Sequence, residues 1–91
     1  MTVTVRLPEF LRRYAGGGRE VTTAGATVGA ALGELVRRHP DLGVRLLARD
    51  GALASHLVAF RNGTSLPREG LAATPLGDGD TLEIHAAASG G

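Results

Sequence analysis

Leu76-Gly77-Asp78-Gly79-Asp80-Thr81-Leu82-Glu83-Ile84-His85-Ala86-Ala87-Ala88-Ser89-Gly90-Gly91 closes the chain. Its first part reads as a turn, because Gly and Asp accept tight backbone and bond to it locally. From Thr81 to His85 the pattern alternates. Leu82 and Ile84 fall on one face, and Thr81, Glu83 and His85 on the other. That period of two predicts a strand anchored in a core on one side. Residues 86–91 then carry no side chain larger than serine and end in two glycines. The α-carboxylate, with a reference pKa of about 3.5, is ionised at neutral pH. Glycine removes the Cβ beside it, so the end can thread a channel that a branched residue would block. Six residues reach at most roughly 20 Å, enough to cross another protein's surface and enter a pocket. The chain therefore divides into a domain, residues 1–85, and a thin tail, residues 86–91.

The opening stretch matches this strand. In Thr2-Val3-Thr4-Val5-Arg6-Leu7 the apolar residues share one face, and Pro8 ends the run. Arg19 to Thr23 reads as a second strand around Val21, reached through the flexible Gly16-Gly17-Gly18, which gives an antiparallel hairpin. Thr27 is a suitable N-cap. Val28, Ala31, Leu32, Leu35 and Val36 follow at helical spacing, with Ala30, Glu34 and Arg37 opposite. Pro40 stops the helix after His39. Gly29 and Gly33 cost about 1 kcal/mol each against alanine, and a close approach of helix to sheet is the expected compensation. Asp41 to Asp50 reads as a helical turn and a loop. His56 to Arg61 reads as a strand, Asn62-Gly63 as a hairpin turn, and Thr64 to Leu66 as the return. Either Val58 and Phe60 or Leu57 and Ala59 face the core. Pro67 to Leu76 crosses irregularly and contributes Leu71 and Leu76. The first and last strands have the cleanest apolar faces and belong together at the centre. The expectation is an α+β fold, a mixed four- to five-stranded sheet wrapped on one main helix.

Composition narrows the function. Ninety-one residues hold one core. Ten basic and nine acidic residues leave a formal charge of +1, with only Phe10, Tyr14 and Phe60 as aromatics. Nucleic-acid binding wants a large basic excess or stacking platforms, so no nucleic acid is expected. Cysteine is absent, which removes disulfides, thiolate ligands and a cysteine nucleophile. All ten cations are arginine, a composition that codon bias explains. The longest apolar run falls far short of a membrane span, and the first residues lack a charged head followed by an apolar block. A soluble cytoplasmic protein that engages no membrane is expected.

Candidate chemistry inside the domain is weak. His39, His56 and His85 are not at metal-ligand spacing, so no metal is expected. His39 suits a helix C-terminus. Asp78, Asp80 and Glu83 lack the ligand order of a calcium loop. Gly16-Gly17-Gly18 has no following Lys-Ser/Thr for a phosphate loop. Asp50, Ser55 and His56 have the residue types of a triad without nucleophile-elbow glycines.

Taken whole, the sequence resembles the ubiquitin-like β-grasp sulfur carriers, the MoaD/ThiS family, most closely its CysO-like branch. The resemblance rests on Val3-Thr4-Val5-Arg6-Leu7, Leu11-Arg12-Arg13-Tyr14 with Gly16-Gly17, Thr27 to Leu32, Arg61-Asn62-Gly63, Leu76-Gly77-Asp78-Gly79-Asp80 and terminal Gly90-Gly91. It implies a β-grasp domain with no catalytic residues of its own and no bound cofactor. ATP is used by an adenylating partner of the ubiquitin-activating type. Gly91 is the site of adenylate and sulfur attachment, Gly90 and Ser89 are read by the partner's channel, and the product is a Gly91 thiocarboxylate. A sulfur-accepting biosynthetic enzyme is the second partner, in cysteine or another sulfur-containing product. A sulfurtransferase or a tail-cleaving metalloprotease completes the expected set. A small subunit of molybdopterin synthase and a protein modifier joined through Gly91 are the alternatives. Arg6, Glu83 and His85, outward-facing and polar near the tail, form the expected docking surface, one that binds and releases. Two departures stand out: the tail lacks the proline often found there, and Arg61 takes a place commonly aliphatic.

Overall fold

The structure, a computed structural model, describes residues 2–87. Strand β1 (Val3–Arg6) and strand β2 (Glu20–Thr23) pair antiparallel, Val5 opposite Val21. Their connection is richer than the glycine-rich loop expected from sequence. Pro8 starts a short helix, α1 (Glu9–Arg12), followed by a 3₁₀ turn (Arg13–Ala15) that ends on left-handed Gly16, φ 86°. Leu11 and Ala15 are buried. A helix of four residues contains too little periodicity to be seen along the chain.

Helix α2 (Val28–Arg38) starts as expected: Thr27 Oγ1 accepts from the Ala30 N–H at 3.1 Å. Val28, Ala31, Leu32 and Leu35 are buried and Val36 partly so. The helix ends at His39, and Pro40 opens the next one, α3 (Pro40–Leu46), which buries Leu42 and Leu46. Pro at the first helical position loses only an N–H that had no partner, so the residue that stops α2 starts α3.

Strand β3 (Leu57–Arg61) turns at Asn62, φ 50°, and Gly63, φ 85°, into β4 (Thr64–Ser65). Two successive positive φ angles are what a two-residue hairpin demands, and Asn-Gly supplies them. The open choice of face is settled: Leu57 and Ala59 are buried, and Val58 and Phe60 lie on the other face. The crossing segment holds a 3₁₀ turn at Leu71–Ala73 and buries Leu71 and Leu76. Strand β5 (Thr81–Ala86) buries Leu82 and Ile84 and runs one residue past His85, into the first position of the expected tail.

The five strands lie in the order β2-β1-β5-β3-β4. β5 is central, parallel to β1 and antiparallel to β3. Val3, Val5, Leu57, Ala59, Leu82 and Ile84 face the helices across one continuous core. Full burial of each aliphatic side chain is worth about 1.5–3 kcal/mol, so the strand leading to the tail is among the best-anchored elements. The helix glycines require a correction. A Cβ on Gly29 would come within 3.0 Å of the Ala72 carbonyl, and one on Gly33 would meet nothing. Gly29 admits the Leu71–Ala73 turn, not the sheet, and Gly33 admits no neighbour.

Candidate functional site: the root of the tail

The site is where the chain leaves the sheet. Ala86 stands opposite Leu57 in the β3–β5 ladder. Ala87 N–H then donates to the His56 carbonyl at 2.7 Å, the last ladder bond among the described residues. Gly91, Gly90 and Ser89, the expected attachment and recognition residues, lie outside the described residues.

The outward face of the sheet beside this root brings the three expected docking residues together. Arg6 is opposite Glu83 in the parallel ladder, and His85 follows on the same face. Arg6 Nε is 2.6 Å from Glu20 Oε2. The hydrogen bond and charge of Glu20 raise the Arg6 pKa further. Glu83 and His85 lie 3.4 Å apart, nitrogen to oxygen. The expectation of a wholly polar surface needs amending. The β3 register places Phe60 beside Glu83 and Val58 beside His85, and the Phe60 ring meets the His85 ring edge-on at 5.3 Å and 80°. Phe10, 50% exposed, sets its ring 6.5 Å from that of His56, the residue that accepts the last ladder bond. An aromatic contribution therefore sits among the charges, as at protein–protein interfaces. Sequence reading missed Phe60 because the strand's face was undecided, and Phe10 because α1 was unseen.

The turn before β5 is structural. Asp78 Oδ1 accepts from the Thr2 N–H at 2.7 Å. Asp80 Oδ2 accepts from the Gly77 N–H at 2.7 Å, and its Oδ1 accepts from Asn62 Nδ2 at 3.0 Å. These bonds, the Gly77 one foremost, hold the Asp80 carboxyl below its ordinary value. Both carboxylates of the loop are thus engaged by the protein itself. Among the described residues, no three His, Cys, Asp or Glu side chains gather as a metal site. Asp50 is engaged by the Ala52 N–H at 3.0 Å, within its own loop. A half-open apolar groove of about 450 Å³ lies along α2, lined by Val28, Gly29, Leu32, Leu53 and Leu71. Among the described residues, no helix is long and apolar enough to cross a membrane.

A mixed sheet of this order, packed on one principal helix with the chain end leaving its central strand, is the ubiquitin-like β-grasp. The chain matches the ThiS family over residues 5–91 and belongs to it. It is 32% identical to the sulfur carrier protein CysO of Mycobacterium tuberculosis over the full length of both chains. Among solved structures it is similar to a chain of the Amycolatopsis orientalis BexX/CysO complex, with 32% identity, a TM-score of 0.84 and coverage of 98% of this chain and 99% of that one. SAMP1 from Haloferax volcanii matches at 34% identity with a TM-score of 0.80, covering all of both chains. The curated relatives that this chain matches are named sulfur carrier proteins.

Proposed function

We propose that this protein carries sulfur on the carboxylate of Gly91. The observation that carries the reading is the Ala87–His56 bond. It keeps the chain in the sheet to within four residues of its end, and those four are Ala88-Ser89-Gly90-Gly91. The described fold thus stops next to four small residues that carry the Gly91 carboxylate. In the first step a Gly91 carboxylate oxygen attacks the α-phosphorus of ATP on an adenylating partner of the ubiquitin-activating type. The bond to the β-phosphate breaks and pyrophosphate leaves. In the second step a sulfur nucleophile attacks the acyl carbon and AMP departs. Sulfide gives the thiocarboxylate directly; a persulfide gives an acyl disulfide that a second thiol cleaves to the same product. Acid–base groups and the nucleotide site belong to the partner, so the carrier needs no cofactor of its own. A sulfur-accepting biosynthetic enzyme takes the product, and a sulfurtransferase or tail-cleaving metalloprotease acts in the same system. Family membership and full-length similarity to CysO support this reading over the molybdopterin synthase alternative.

The test is intact mass after incubation with the adenylating partner, ATP and a sulfur source. One oxygen exchanged for sulfur, mapped to Gly91, is the expected result. Sulfur on an internal residue overturns the carrier reading. The likeness to SAMP1, titled a small archaeal modifier protein, favours a second use of the same end: attachment to lysines of other proteins. Gly-Gly remnants on lysines of the source proteome, dependent on Gly91, are the signature of that use.

A further inference from the structure

We infer that Arg68 is a positioning residue that holds the His56 carbonyl in place for the Ala87 N–H and so keeps Ala87 in the sheet; its consequence for activation rests on the carrier reading above. Arg68 stands in the crossing segment after β4. Its Nη1 donates to the Leu53 carbonyl at 2.8 Å, and its Nη2 to Ala54 at 3.2 Å, Ser55 at 3.4 Å and also Leu57. Four of the five carbonyls from Leu53 to Leu57 are thus gathered by one guanidinium. The fifth, that of His56, accepts the Ala87 N–H. The bend entering β3 is therefore held from two sides, by Arg68 and by the root of the tail.

Backbone bonds shape the start of the segment, from Ala48 N–H to the Ala52 carbonyl at 2.7 Å and from Ala54 N–H to the Leu46 carbonyl at 2.9 Å, and Arg68 adds the donors nearest β3. The residues from Ala48 to His56 form no helix, and only Leu53 among them is buried. The Ala54 carbonyl also accepts the Leu57 N–H at 3.0 Å; for the carbonyls of Leu53, Ser55 and Leu57 a planar fork with several N–H groups supplies donors from a single residue. Lysine, a point charge on a flexible stem, cannot span four carbonyls at once. Because His56 presents its carbonyl to Ala87 from within this bend, loosening the bend frays the last ladder bond first. Ala87 would then leave the sheet, which lengthens the stretch of chain between the fold and the Gly91 carboxylate. Preorganising a reacting group lowers the entropy lost when the partner captures it, so the clamp should act chiefly on capture.

The experiment is amide hydrogen exchange on the full chain, comparing wild type with Arg68→Met and Arg68→Lys. Met keeps an apolar stem, and Lys keeps the charge. The expected result is exchange of the Ala87 amide at least about tenfold faster in both variants, with Val5, Leu82 and Ile84 unchanged, the pattern of a local opening. An Ala87 amide no faster than wild type overturns the inference. So does a rise shared equally by the core amides, or loss of folding in both variants, which assigns Arg68 to global stability. In activation assays the KM for the carrier should rise severalfold with kcat nearly constant. If the wild-type chain accepts no sulfur at all, the carrier reading fails while hydrogen exchange still decides the role of Arg68.

Discussion

Asp80 joins three parts of the chain. Its carboxylate holds the Gly77 N–H and the Asn62 side chain, and its own carbonyl accepts from Thr4 N–H at 3.0 Å. Asn62 in turn accepts from the Thr81 N–H at 2.9 Å. Because the folded carboxyl is held below its ordinary 3.8, the unfolded chain takes up this proton first as pH falls. The Asp80 contribution is therefore complete above pH 3.8 and is lost below it, through the depressed folded value. Thermal unfolding followed through that window should show stability falling with acid, and Asp80→Asn should flatten the slope. Gly25 poses a different constraint: a Cβ there would collide with the backbone of Ala30 and Ala31 in α2. Gly25→Ala should cost roughly 1–3 kcal/mol by overpacking, read from urea unfolding, although exposed Gly→Ala changes usually stabilise. Gly90 follows every core residue in the chain, so Gly90→Val should leave the unfolding midpoint in place while abolishing adenylation. An unchanged adenylation rate would show that no narrow channel reads the tail.

Among the elements, α2 and β3 differ in how much the chain announces. Leu35 repeats on a clean helical stripe and is completely buried. Leu35→Ala should therefore lower unfolding free energy by about 2–5 kcal/mol, and an unmoved denaturation curve would contradict its place under the sheet. In β3 the residues Leu57-Val58-Ala59-Phe60 are apolar on both faces, so alternation alone leaves the register undecided. Pairing with β5 decides it, because Leu82 and Ile84 are buried and Ala59 stands opposite Ile84. Small Ala59 then lies in the core and large Phe60 outside it, against the order that hydrophobicity suggests. The same pairing puts Phe60 against His85 and makes the outward face of the sheet partly aromatic.

At the scale of the whole molecule, a charged face with an aromatic inset surrounds a fixed tail root. Arg6–Glu20 is an exposed pair, and such pairs contribute little to stability because solvent screens them. Arg6→Glu should accordingly change the unfolding midpoint little and slow adenylation more. Raising ionic strength should weaken association with the adenylating partner, since charges farther apart than about 8 Å are screened at physiological salt. Measured as KM against salt, a flat dependence would leave the apolar contacts of Phe10 and Phe60 as the basis of docking.

The sequence alone determined the elements with strong local codes. Alternation defined β1 and β5, the Thr27 cap and apolar stripe defined α2, and Asn62-Gly63 defined the hairpin, because each depends on neighbours within a few residues. The order of these elements and the Gly-Gly end were enough to reveal the β-grasp family. The face of β3, the short helix α1, the partner of Gly29 and the role of Arg68 follow instead from long-range packing. Each depends on atoms distant in sequence: the register of β5, the burial of Leu11, the Ala72 carbonyl, and four carbonyls 11–15 residues before Arg68. In a chain whose cations are all arginine, residue type could not distinguish the one that gathers four carbonyls from Arg12, Arg45 and Arg61, which each hold one. Its geometry does, because a guanidinium acts through the number and placement of its donors.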